Sequence, residues 1–115
     1  MSQKVFDIDG VMTRLDNDRE LLFELFDIFL PDSEVQLSAI EEAIATSSPK
    51  ALQESAHAIK GALGNIGAML AHTYAFQLEA AGRAGDLTAA NKLLTDLRQA
   101  ISGFIVELEQ YRSTT

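Results

Sequence analysis

Between Leu87 and Tyr111 apolar residues recur at steps that alternate between three and four: Leu87, Ala90, Leu94, Leu97, Ile101, Phe104, Leu108, Tyr111. A strand sends successive side chains to opposite faces and cannot gather these positions on one side. A helix of 3.6 residues per turn does so, and the three-four alternation marks a seam packed against other helices. Helical spacing returns in Leu21, Leu22, Leu25, Phe26, Ile28 and Phe29, in Val35, Leu37, Ile40 and Ile44, and in Leu52, Ala56, Ile59, Leu63 and Ile66. No segment alternates apolar and polar residues over several positions. The pattern predicts an all-α fold.

Punctuation residues set the boundaries. Asp7 to about Leu15 reads as a short helix weakened by Gly10. Asn17-Asp18-Arg19-Glu20 has the form of a capping box ahead of the Leu21 run. Pro31 lacks a backbone donor and crowds the carbonyl four residues earlier, so a kink or a break is expected near Leu30. Ser48 and Pro49 suit the N-cap and first position of a helix to about Asn65. Gly64-Asn65-Ile66-Gly67 suits a turn, and a further helix is predicted from about Ala68 to Arg83. Gly85 then reads as a C-cap and Asp86 as the next N-cap. Connections this short imply antiparallel neighbours. The expected architecture is an antiparallel up-down four-helix bundle with one or two additional short N-terminal helices. A chain of 115 residues is expected to be a single domain, 1–115, with its bundle core at about 17–111.

Composition removes several functions. Seventeen acidic residues against nine basic ones give a net charge of −8, which argues against binding a phosphate backbone. With no cysteine there is no disulfide, thiolate metal site or cysteine nucleophile. The longest apolar stretch, Leu21 to Leu30, is cut by Glu24 and Asp27 and is too short to span a bilayer. Met1 to Asp7 holds no apolar signal region, so a cytoplasmic location is expected.

The helix from Pro49 carries the chemistry. Its core stripe, Leu52, Ala56, Ile59, Leu63 and Ile66, falls within about 40° of one line. On that wheel His57 lies about 140° away, Gly61 about 180°, Gly64 about 120° and Lys60 about 80°. A lone histidine on a helix is ordinarily a solvated surface residue, but its neighbours here are unusual. Glycine on a helix surface costs about 1 kcal/mol relative to alanine. A bare strip beside His57 suits close approach by another molecule, although Gly61 and Gly64 could also serve helix packing. Neutral imidazole is a nucleophile near neutral pH, and Lys60 at i+3 offers a cation for phosphoryl oxygens.

Ala56-His57-Ala58-Ile59-Lys60-Gly61, followed by Gly64-Asn65-Ile66-Gly67-Ala68, resembles the signature of the histidine-containing phosphotransfer (HPt) domain. The resemblance extends through Asp18 to Leu30, and through Leu78-Glu79 and Arg83-Ala84-Gly85-Asp86. It implies that His57 is the phosphoacceptor through its more exposed ring nitrogen, taken as Nε2. It implies that Lys60 stabilises the phosphoryl group and that Gly61 and Gly64 form a docking surface. A phosphoryl group would arrive from a receiver-domain phospho-aspartate and pass to another receiver aspartate. The partners would be receiver domains of response regulators or hybrid sensor kinases, with no nucleic acid and no membrane. No cofactor is implied, Mg²⁺ being expected on the partner receiver. The protein would be a carrier rather than an enzyme, and a monomer, either stand-alone or part of a sensor kinase. Two departures stand out: Ala62 replaces a common serine, and Glu79 stands where some members have glutamine. A glutamate there would repel a phosphoryl group unless it faced elsewhere, so no direct role is assigned to it. Arg83 reads as a helix-end cation and His72 as a structural residue.

The alternative is a degenerate bundle that binds receivers without carrying phosphate. A metal site is not expected: Glu54-Ser55-Ala56-His57 matches one Glu-x-x-His unit, but no glutamate precedes His72 by three residues.

Overall fold

The computed structural model describes residues 4–114, and these form five helices. They are α1 (Ile8–Arg14), α2 (Arg19–Ala45), α3 (Pro49–Asn65), α4 (Met69–Ala84) and α5 (Ala90–Ser113). Met1, Ser2, Gln3 and Thr115, counted in the expected domain, lie outside the described residues. The all-α expectation holds, with one short helix ahead of four long ones.

Side-chain caps start the first two helices. Asp7 accepts a hydrogen bond from the Gly10 amide at α1, and Asp18 accepts one from the Leu21 amide at α2. The N-cap is therefore Asp18, one residue later than the Asn17–Glu20 box predicts. Asp16 and Asn17 take left-handed backbone angles in the turn, which short polar side chains tolerate.

No helix boundary occurs at Pro31: α2 runs 27 residues through it. Interrupting a helix with proline costs about 3 kcal/mol. Burying one large apolar side chain contributes about 1.5–3 kcal/mol. Leu22, Phe26, Phe29, Leu37 and Ile40 lie buried on one face on both sides of Pro31, so shared packing outweighs the local cost. Pro31 itself is exposed, which leaves water to serve the carbonyl that lost its partner.

Ser48 occupies the α3 N-cap position without a side-chain cap bond; its hydroxyl pairs with Thr46 instead. The turn after α3 uses Gly67 at φ +81°, and its carbonyl accepts the Asp7 amide at 2.8 Å. The N-terminal segment thus lies across this turn. Arg14 adds a side-chain hydrogen bond to the Gly64 carbonyl, which the Gly67 amide also reaches, and so ties α1 to the end of α3. Gly85 ends α4 in the left-handed conformation, as predicted. Asp86 does not cap α5. Its carboxylate accepts from the amide and hydroxyl of Thr88 and closes a local turn, so α5 begins only at Ala90.

Helix α2 packs on α3 and α5, and α4 packs on α3 and α5. Phe104 centres the core, with Phe6, Phe26 and Phe29 edge-on at centroid distances of 5.3, 6.1 and 5.8 Å. From α4 the buried residues are mostly small, Ala71, Ala75 and Gly82 among them, so its backbone comes close to its neighbours. Among the described residues no helix is long and apolar enough to cross a membrane.

Candidate functional site

Helices α3 and α4 run in opposite directions, and their contacts form rungs. Gly64 faces His72, Lys60 faces Phe76, His57 faces Glu79, and Gln53 faces Gly82. Each rung steps along both helices by three or four residues, the spacing that keeps one face in line. Glycines stand at both ends. A Cβ at Gly82 would lie 2.6 Å from the Gln53 amide nitrogen, and one at Gly64 would lie 3.3 Å from His72 Cδ2. The space beside Gly64 is thus taken up by His72, within a hollow that Gly61, Lys60 and Arg14 also line.

His57 points out of the bundle, with 69% of its side chain exposed. Glu79 is 5% exposed, and its Oε2 lies 2.7 Å from His57 Nδ1. An ionised carboxylate has no proton to give, so Nδ1–H is the donor. Among the described residues Nε2 has no hydrogen-bond partner, and in a neutral ring with Nδ1–H it is the nitrogen that bears the lone pair. The second carboxylate oxygen accepts a hydrogen bond from Lys60 Nζ at 2.5 Å, and Arg83 approaches Oε2 at 3.4 Å. The Lys60 hydrogen bond, with help from His57, holds the Glu79 carboxyl below the usual glutamate range despite its burial. Lys60 also lies over the Phe76 ring at 5.5 Å, with Phe76 itself exposed.

Gly61 is open: nothing lies within 4 Å of a Cβ built there. His57, Lys60 and Gly61 therefore share one stretch of surface. Sequence reasoning missed Glu79. It sits on the buried face of α4 among apolar residues, and its i+3 neighbour Gly82 was the available signal for a helix held close by. Arg83, read as a helix-end cation, also joins this cluster. His72 is half-buried, and burial together with the Lys60 charge moves its imidazole below the ordinary range. Among the described residues no group of three or more His, Cys, Asp or Glu is arranged to hold a metal ion.

A family model for the Hpt domain matches residues 24–110. The chain belongs to the Hpt domain family. Its structure is similar to the crystal structure of histidine-containing phosphotransfer protein B (HptB) from Pseudomonas aeruginosa PAO1, with a TM-score of 0.83 and 30% sequence identity. That similarity covers 93% of this chain and 94% of the other. A comparison with curated proteins gives no match. Membership supports a histidine phosphotransfer role in a phosphorelay, in a family that works with receiver domains.

Proposed function

We propose that this Hpt domain is a phosphorelay carrier in which His57 Nε2 accepts a phosphoryl group from a receiver phospho-aspartate and passes it to another receiver aspartate. The observation that carries the proposal is the exposed imidazole whose Nδ1–H is engaged by Glu79, which leaves Nε2 as the nucleophile. Nε2 attacks phosphorus as the bond to the aspartyl oxygen breaks, and the reverse step returns the group to a receiver. Lys60 gives one hydrogen to Glu79 and keeps two for phosphoryl oxygens. The Mg²⁺ that such transfers use is assigned to the receiver, which also supplies most of the catalytic groups. The domain has no activity of its own in this reading and acts as a rigid pedestal: a single domain, an antiparallel up-down bundle of α2 to α5, monomeric and cytoplasmic.

Docking would use apolar surface beside His57. Asp27 and Glu41 on one flank of α2 pair with Arg112 and Arg98 of α5, and exposed Ile28 and Val35 lie off that flank. On α3, His57 and Lys60 face α4, which leaves Ala58 on the side toward α2. Val35 and Ala58 both stand about 15 Å from the turn that joins the two helices, at 1.5 Å per residue. Val35, Ala58 and open Gly61 would therefore meet a receiver together, with Gly64 at the edge of the contact.

The test mixes the protein with a panel of phosphorylated receivers. The expected product is an acid-labile, alkali-stable adduct that is absent in His57→Gln. Receiver binding without an adduct would identify an interaction module that carries no phosphate.

A further inference from the structure

Charge balance at His57 gives the buried carboxylate a role beyond orientation. In the neutral ring, the form that can act as a nucleophile, Nδ1 carries the proton that Glu79 Oε2 accepts. When Nε2 attacks, the N–P bond forms, the P–O bond breaks, and the aspartate leaves with the electron pair. No proton has moved. The phosphorylated ring still bears Nδ1–H and is formally cationic. Left to water alone, such a ring can discharge by giving up that proton.

Here Nδ1 lies 2.7 Å from an anion that is itself shielded from water. A hydrogen bond between a cationic donor and a carboxylate is shorter and roughly twice as strong as a neutral one. We propose that Glu79 retains the proton on Nδ1 of phosphorylated His57, so that the phosphoryl group enters and leaves the ring without proton exchange with solvent. This rests on the reading that Nε2 is the acceptor. When the N–P bond breaks in the onward step, its electron pair returns to Nε2 and the leaving group is neutral imidazole rather than imidazolate. The group stays readily transferable, at the expense of its lifetime in water.

The charges around Glu79 suit this. From α3 it meets His57 and Lys60, with Lys50 and Glu54 lining the same hollow; from α4 it meets Arg83. Helix α5 brings no ion-pair partner to it among the described residues. Lys60 holds the second oxygen, so the carboxylate remains an anion facing the ring. A glutamine could accept from Nδ1–H through its oxygen or donate to a bare Nδ1 through its amide, and so would not hold the proton in place.

The phosphorylated protein can be prepared with phosphoramidate or with a phosphorylated receiver, and its ring nitrogens read by ¹⁵N NMR from pH 6 to 9. The expected wild-type result is a protonated Nδ1 at pH 8. Glu79→Gln should show an unprotonated Nδ1 at pH 8 and a phosphorylated form roughly tenfold longer-lived, converging on wild type as pH falls. An unprotonated Nδ1 in the wild-type phosphoprotein at pH 8 would overturn the proposal without recourse to any variant. Equal lifetimes in a variant with native circular dichroism would do the same. Failure of both donors to load His57 would remove the carrier reading and this proposal together, whereas loading with an unprotonated Nδ1 removes only the latter.

Discussion

Gly82 of α4 lies against Gln53 of α3 so closely that a Cβ on Gly82 would stand 2.6 Å from the Gln53 amide nitrogen and 2.7 Å from the Pro49 carbonyl oxygen. Both obstacles are backbone, which cannot rotate aside. This contact lies one turn from Glu79 and brings that carboxylate within reach of His57 and Lys60. Gly82→Ala should therefore destabilise the protein by about 1–3 kcal/mol, the usual cost of overpacking, despite alanine's better helix propensity. Urea unfolding measures this. A variant as stable as wild type would show that α3 and α4 separate freely.

Gly61 makes the opposite case on the same pair of helices. Nothing lies within 4 Å of its added Cβ, so Gly61→Gln should leave stability unchanged or raise it by up to about 1 kcal/mol through helix propensity. Transfer from a phosphorylated receiver should fall sharply, because the glutamine stands where the receiver would approach beside His57. An unfolded variant that still docks would make Gly61 a packing residue instead.

The contrast shows what could be read from the sequence. The α3 stripe places His57, Lys60 and Gly61 outward, because a surface helix discloses its faces through spacing alone. Spacing says nothing about which residue of α4 meets His57; that depends on how α3 and α4 align. Read from the sequence, Glu79 would repel a phosphoryl group, whereas in the structure Lys60 and Arg83 surround it with positive charge. Gly64 had two readings, and only the structure reveals His72 against it. Pro31, where the sequence leaves a kink or a break open, does not end its helix, and Asp86 does not cap one, for a related reason. Each has a strong local preference, overridden at Pro31 by packing across the whole of α2 and diverted at Asp86 into a bond with Thr88.

Acid should expose Glu79. Its carboxyl is held below the ordinary value of 4.5, so below that pH the unfolded chain binds more protons than the folded one. The contribution of Glu79 is thus complete above that value and lost as pH falls through the lowered folded value. Asp27, lowered by Arg112, and Asp86, lowered by Thr88, add slopes of the same sign. The Glu79 share is the difference between wild type and Glu79→Gln in denaturant titrations from pH 3 to 6. That difference should shrink toward low pH; a constant offset would show that the carboxyl is not held down.

Lys60→Ala should keep the fold, since the lysine side chain is partly exposed, yet slow phosphoryl transfer by roughly tenfold through loss of a cation beside the reacting group. Stopped-flow transfer from a phosphorylated receiver provides the measurement. Unchanged rates would confine Lys60 to its bond with Glu79.

Pro31 offers a separate test of how packing and local preference divide the stability of α2. The helix passes through it, so the site already has room for helical backbone, and Pro31 is exposed. Alanine would restore the missing amide donor to the Asp27 carbonyl and relieve the ring's crowding of that turn. Pro31→Ala should therefore stabilise the protein by about 1–3 kcal/mol, less than or equal to the penalty of an interior helical proline. Thermal and urea unfolding read the gain. A loss of stability would mean that the core stripe from Leu22 to Ile40 packs correctly only with proline at this position.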